Sequence, residues 1–182
     1  MPNAVYTRTA VILHWLIGVC VLAQITLGLW MITTPKTPPG VRAGWFNVHK
    51  SIGITLAVFI IVRLLWRFAH RAPALPETMP KWERIAATAN HWLLYVCMIV
   101  MPVSGYLGSS FTKYPILFFG IKLPQWGWDA PALKDICSEV HYATMVIFIA
   151  LIALHIAAAA KHAFFNRDGI VKRMWFKRDI AG

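Results

Sequence analysis

Four apolar stretches, each long enough to cross a lipid bilayer, constrain this chain more than anything else in it. They cover residues 9–32, 46–68, 85–107 and 140–165, and a helix needs about 20 such residues to traverse the hydrocarbon core. Pro-rich segments at 33–44 and 71–84 separate the first three. A longer run of Pro, Gly and aromatic residues at 109–135 precedes the fourth, and helix rules disfavour it. The reading is all-α: an integral membrane four-helix bundle forming one domain over residues 1–182. Composition agrees, because only 14% of residues are charged and mean hydropathy is +0.58. The first stretch carries His14 and Gln24 and lacks a small-residue cleavage site, so it reads as a retained span and not a signal peptide.

Cations set the orientation. Twelve of the eighteen Lys and Arg residues fall on one side: Arg8, Arg63, Arg67, Arg71, Lys81, Arg84, Lys161, Arg167, Lys172, Arg173, Lys177 and Arg178. Lys36, Arg42, Lys50, Lys113, Lys122 and Lys134 fall on the other. The positive-inside rule makes the first side cytoplasmic and puts both termini there. The net charge of +11 then reflects topology and affinity for anionic lipid. Nucleic-acid binding is a poor reading, because the cations flank spans and form no continuous groove.

That topology sorts the histidines by depth. His141 and His155 are fourteen residues apart on the fourth span, hence about 21 Å apart along the axis with only about 40° of drift around it. His49 shares the outer layer with His141. The inner layer holds His14, His91, His155 and His162, and spacing pairs His14 with His155, with His91 as the alternative. An imidazole in hydrocarbon is costly unless it is paired, so each is a functional candidate. Four at matched depths suit the axial ligands of two stacked haems, and double histidine ligation favours electron transfer over O2 chemistry. A tetrahedral zinc site would need four ligands at one depth, and the spans lack carboxylates. Cys20, Cys97 and Cys137 show neither metal-ligand spacing nor the CxxCH of covalent haem attachment, and they read as structural.

The chain resembles the bacterial four-span branch of the cytochrome b561 family over nearly its whole length. The likeness rests on LHW at His14, VHKSIG at His49, VRLLWR after it, NHWLLY and MPVSGY in the third span, EVH at His141, and LHIAAAAKH at His155 and His162. It implies two haems b, the outer held by His49 and His141 and the inner by His14 and His155, in agreement with the depth argument. It further implies an oxidoreductase of the bacterial inner membrane that takes electrons from superoxide on the outer side and reduces ubiquinone on the inner side.

The same likeness suggests His162 as a quinone contact. It lies seven residues beyond His155, on nearly the same face and about 10 Å nearer the cytoplasm. His91 is a second candidate there or at a haem propionate. Arg63, fourteen residues from His49 on the same face, and Arg67 are propionate candidates through charge-assisted bonds. Their competing role is as positive-inside anchors. Outside, the six cations would form an approach field for a small anion, and the aromatics of the 109–135 loop most simply form an interfacial belt. Two other functions compete: a cytochrome b anchor that passes electrons from a dehydrogenase or hydrogenase partner to quinone, and a His-lined metal or proton transporter without haem.

Overall fold

A computed structural model describes residues 6–175 apart from 39, 71 and 77. Arg71, Lys177 and Arg178, three of the cations assigned to the inner side, lie outside the described residues. Four helices dominate: α1 (Arg8–Thr33), α2 (Val41–Ala69), α3 (Lys81–Ser110) and α4 (Pro131–Ala160). Each is long and apolar enough to cross a membrane. The fourth continues through a π-helical turn, Lys161–Asn166, and a short 3₁₀ turn follows at Val171–Met174.

Contacts at the helix ends fix an up-down-up-down order. Thr7 caps α1 by accepting from the Ala10 amide, and its hydroxyl also accepts from Trp66 Nε1 at 2.9 Å. The start of α1 is thereby tied to the end of α2. Lys161 at the end of α4 pairs with Glu83 at the start of α3. The 3₁₀ turn folds back over this same end, where Trp15 Nε1 donates to the Met174 carbonyl at 2.8 Å and Arg173 donates to the Ala74 carbonyl. His14, His91, His155 and His162 all belong to this half of the bundle.

The expected spans differ from the helices mainly at α4, which begins at Pro131 and not near 140. Proline suits the first helical turn, where its missing N–H costs no bond. The next turns, with Lys134, Asp135, Ser138 and Glu139, form helix without being apolar. A hydropathy window marks only the part of a helix that lipid covers. The expected irregular loop is correspondingly shorter and holds a two-stranded antiparallel hairpin, β1 (Ile116–Phe118) with β2 (Ile121–Leu123), joined through Phe119 and Gly120. Both turn residues have positive φ, 47° and 90°, as a two-residue type I′ turn demands.

The hairpin docks on α2. Ile116 is 1% exposed, and Ser51 Oγ accepts from the Phe119 amide at 2.9 Å. Ser51 is two residues beyond His49, so the hairpin packs beside the outer histidine layer. The apolar core runs from Leu13, beside His14, through Ile17 and Val21 of α1 with Leu56, Ile60, Cys97 and Phe148 from the other helices, toward the other histidine layer. Elsewhere large apolar side chains face outward, for example Val19, Leu65, Ile85 and Leu154. In water that exposure would be unfavourable; in lipid it is the normal surface of a spanning helix.

Candidate functional site

The histidines meet in two layers. His49 of α2 and His141 of α4 have ring centroids 6.4 Å apart with planes crossed at 75°. His14 of α1 and His155 of α4 are 6.0 Å apart and crossed at 69°. With metal–imidazole bonds of about 2 Å and the ring centre about 1.1 Å behind the nitrogen, two imidazoles on opposite sides of one metal have centroids about 6.3 Å apart. Both pairs match that spacing. His91 approaches His155 at 5.3 Å, too close for opposed ligation, so of the two inner candidates His14 has the suitable distance.

Each outer imidazole rests against a glycine of a neighbouring helix. A Cβ on Gly28 would come 3.2 Å from His49 Cε1, and a Cβ on Gly105 would come 3.2 Å from His141 Cε1. Those glycines give the rings their space. His141 Nδ1 lies 3.0 Å from the Met101 carbonyl and 3.1 Å from Ser104 Oγ. A carbonyl only accepts, so the proton sits on Nδ1 and the lone pair of Nε2 is left for a ligand, the arrangement that orients metal-binding histidines. His49 Nδ1 is buried with no hydrogen-bond partner. Imidazoles in an apolar shell without carboxylates form a donor set suited to haem iron, and the outer pair fits such a group as it stands.

The inner pair fits after one rearrangement. Arg63 Nη2 lies 3.2 Å from His14 Nδ1, and its Nη1 donates to the Ala10 carbonyl. A guanidinium only donates, so this contact places the His14 proton on Nε2. Ligation through Nε2 needs the opposite tautomer and turns Arg63 toward another acceptor. Arg67 is close enough to His91 for charge to act between them.

His162 sits in a cavity of about 390 Å³, together with Glu83, Lys161, Asn166, Asp168 and residues of the 72–80 connection. Its Nδ1 is 2.5 Å from Asp168 Oδ2, and its Nε2 is 4.0 Å from Glu83 Oε2. Burial works to raise the Asp168 carboxyl, but the Ile170 amide and His162 outweigh it and hold the group below the ordinary carboxylate value. At the opposite end of the bundle, Lys36 and Arg42 share a cavity of about 510 Å³ with Phe46 and Tyr114. Lys113 lies over the Tyr114 ring, while Lys134 pairs with Asp135. Among the described residues, no group of three or more His, Cys, Asp or Glu side chains is placed to hold a bare metal ion.

Sequence reasoning passed over Glu83, Asp168, Gly28, Gly105 and Ser104. The acids carried a signal, being two of only seven in the chain. Ser104 and Gly105 lie within the MPVSGY stretch that carries part of the family likeness, though nothing there assigns them a role, and Gly28 carried no signal that distinguishes it from other glycines of an apolar helix.

Paired imidazoles at two depths of a four-helix membrane bundle define a membrane electron-transfer protein of the b-type cytochrome class. The chain belongs to the prokaryotic cytochrome b561 family, whose family model matches residues 5–177, and haem b follows from that membership. It is 35% identical over 167 residues to cytochrome b561 homolog 2 of Escherichia coli (strain K12), covering 88% of this chain and 86% of that one. Cytochrome b561 homolog 1 of the same organism is 24% identical over 176 residues, covering 95% and 98%. The probable superoxide oxidase CybB of Yersinia pestis is 25% identical over 180 residues, covering 95% and 97%.

Proposed function

We propose that this protein is an inner-membrane oxidoreductase that carries two haems b, takes single electrons from superoxide outside and delivers them to ubiquinone inside. His49 and His141 hold the outer haem, and His14 and His155 the inner one. Haem supplies the one-electron couple. The chain fixes its position: Met101 and Ser104 orient His141, Gly28 and Gly105 leave the outer rings their space, and the Leu13–Phe148 cluster keeps water from the path between the layers. Arg63, released from His14, turns its guanidinium to an inner propionate. Lys36 and Arg42 attract the anionic donor at the outer surface, and both termini lie in the cytoplasm.

The observation that carries this reading is the pair of imidazole separations, 6.4 and 6.0 Å, at two levels of α4. Likeness to a probable superoxide oxidase supports the donor assignment. In the balanced reaction two superoxide anions each lose an electron and leave as O2, and one quinone gains two electrons and two protons. The purified protein is expected to show a reduced-minus-oxidised haem b spectrum at two haems per chain. Its haems should be reduced within the mixing time of a superoxide pulse and reoxidised by added ubiquinone. One haem per chain refutes the paired arrangement. Indifference to superoxide, with a dehydrogenase subunit that co-purifies and reduces the haems, replaces the donor with a protein partner.

A further inference from the structure

The chain beyond α4 reverses in a way that serves His162. The π turn Lys161–Asn166 is closed by Arg167 in left-handed backbone, φ 50°. This reversal swings Asp168 back onto the imidazole. Asp168 Oδ2 lies 2.5 Å from Nδ1, while Oδ1 accepts from the Ile170 amide at 3.1 Å, so the carboxylate is itself held in place. An ionised carboxylate only accepts, and at 2.5 Å it prevails over the Asn166 side-chain amide, 3.2 Å from the same nitrogen; it therefore keeps a proton on Nδ1 and leaves Nε2 as the exchanging atom. Nε2 is directed toward Glu83 Oε2 at 4.0 Å, and Glu83 is anchored through its other oxygen to Lys161. The side chains of His162 and Glu83 are only 12% and 13% exposed, yet both line the inner cavity.

The geometry points to an Asp168–His162 dyad, with Glu83 beside the exchanging nitrogen, that delivers protons to a quinone carbonyl oxygen in this cavity. The inference rests on the quinone reading above and deepens it. His162 is the group that touches substrate; Asp168 and Glu83 are positioning residues that act through it. In the protonated imidazole, Nδ1–H stays on Asp168 and the Nε2 proton passes to the quinone oxygen as the reduced haem side supplies one electron. Water on the inner side returns the proton to Nε2, and a second round completes the two-electron, two-proton reduction to quinol. Asp168 and Glu83 stabilise the cationic ring, Lys161 offsets part of that charge, and Pro76, Thr78 and Met79 close the cavity from the connecting segment. The lowered Asp168 carboxyl agrees, since it favours the ionised acceptor beside Nδ1.

The test uses the holoprotein in lipid nanodiscs with ¹⁵N-labelled histidine, the His162 signal being assigned by its loss in His162→Gln. Wild type should show His162 as the Nδ1–H tautomer, and Asp168→Asn should lose that preference. Reoxidation of dithionite-reduced haem by ubiquinone-1, followed against pH, should keep its haem spectrum in Asp168→Asn and Glu83→Gln. The alkaline limb should move down by about one pH unit in each, because removing a negative neighbour destabilises the protonated ring. His162→Gln should slow the reaction about a hundredfold at every pH, the lower end of the loss expected for one proton-transfer group. An Nε2–H tautomer in wild type, or unchanged pH profiles in both carboxylate variants, overturns the dyad. Failure of ubiquinone-1 to reoxidise wild-type haem at any pH overturns the quinone reading and the delivery step with it. The tautomer measurement then still decides whether Asp168 orients the ring.

Discussion

Single side chains decide how the two imidazole layers are held, and they separate what the sequence discloses from what it conceals. The fourteen-residue spacing of His141 and His155 is legible because a helix converts count into depth and direction. The supports of those rings are not, since they come from other helices. Gly105 and Gly28 illustrate the point, because helix preference favours alanine over glycine by about 1 kcal/mol. Yet at both sites an added methyl would push an imidazole aside by a few tenths of an ångström. The outer ring pair, and not the helix, should register the change. Gly105→Ala and Gly28→Ala are therefore expected to fold, retain the inner haem and lose or spectrally shift the outer one. Gly18→Ala, where a methyl meets nothing within 4 Å, should leave both haems as they are. Low-temperature difference spectra distinguish the cases, and an outer haem in Gly105→Ala identical to that in Gly18→Ala would show that the contact is immaterial. The ligands themselves give a stronger effect: His141→Ala should lose the outer haem and keep the inner, and His155→Ala the reverse. Equal haem content in both variants and wild type would sink the pairing.

Among the elements, the spans were predictable to within a few residues because lipid reads hydropathy just as a window does. The hairpin was not. Its strands are three residues each, too short for a period-two pattern to stand out, and its turn places Phe119 in left-handed backbone where Asn or Gly is usual. What holds it is the hydroxyl of Ser51, which receives the Phe119 amide and lies 3.3 Å from the Leu117 carbonyl. Ser51→Ala removes this partner of the Phe119 N–H, at a cost of about 1 kcal/mol because Phe119 itself is exposed. Amide exchange across 116–123 should quicken while α2 remains protected. Phe119→Asn should act in the opposite direction, because an Asn-Gly turn relieves a backbone cost of about 1 kcal/mol. Faster exchange in Phe119→Asn would mean that the Phe118–Phe119 ring contact, with centroids 4.9 Å apart, outweighs the turn.

For the whole molecule, the helices pack unevenly. α3 and α4 lie against each other along their length, as do α1 and α2, with a smaller contact between α2 and α3. The backbone of α4 stays farther from α1 and α2, and it meets them through Phe148 in the shared core and through the histidine pairs His14–His155 and His49–His141. Haem held by those pairs would therefore join the two helix pairs above and below the Phe148 contact, where their backbones stand apart. A ligand that binds only the assembled state stabilises it by mass action, by about 2.7 kcal/mol at a hundredfold excess over its dissociation constant. The stabilisation should fall on one seam of the bundle. Protein made under blocked haem synthesis is expected to lose thermal stability and to open between α1 and α4 while α3 and α4 stay together. Spin labels on the lipid-facing positions Val19, Val96 and Leu154 can follow both separations. The α1–α4 distance distribution should broaden on haem depletion and narrow again on reconstitution, with the α3–α4 distribution constant throughout. Equal broadening of the two would show that haem stabilises the bundle generally, and that the histidine pairs are not the joints between its halves.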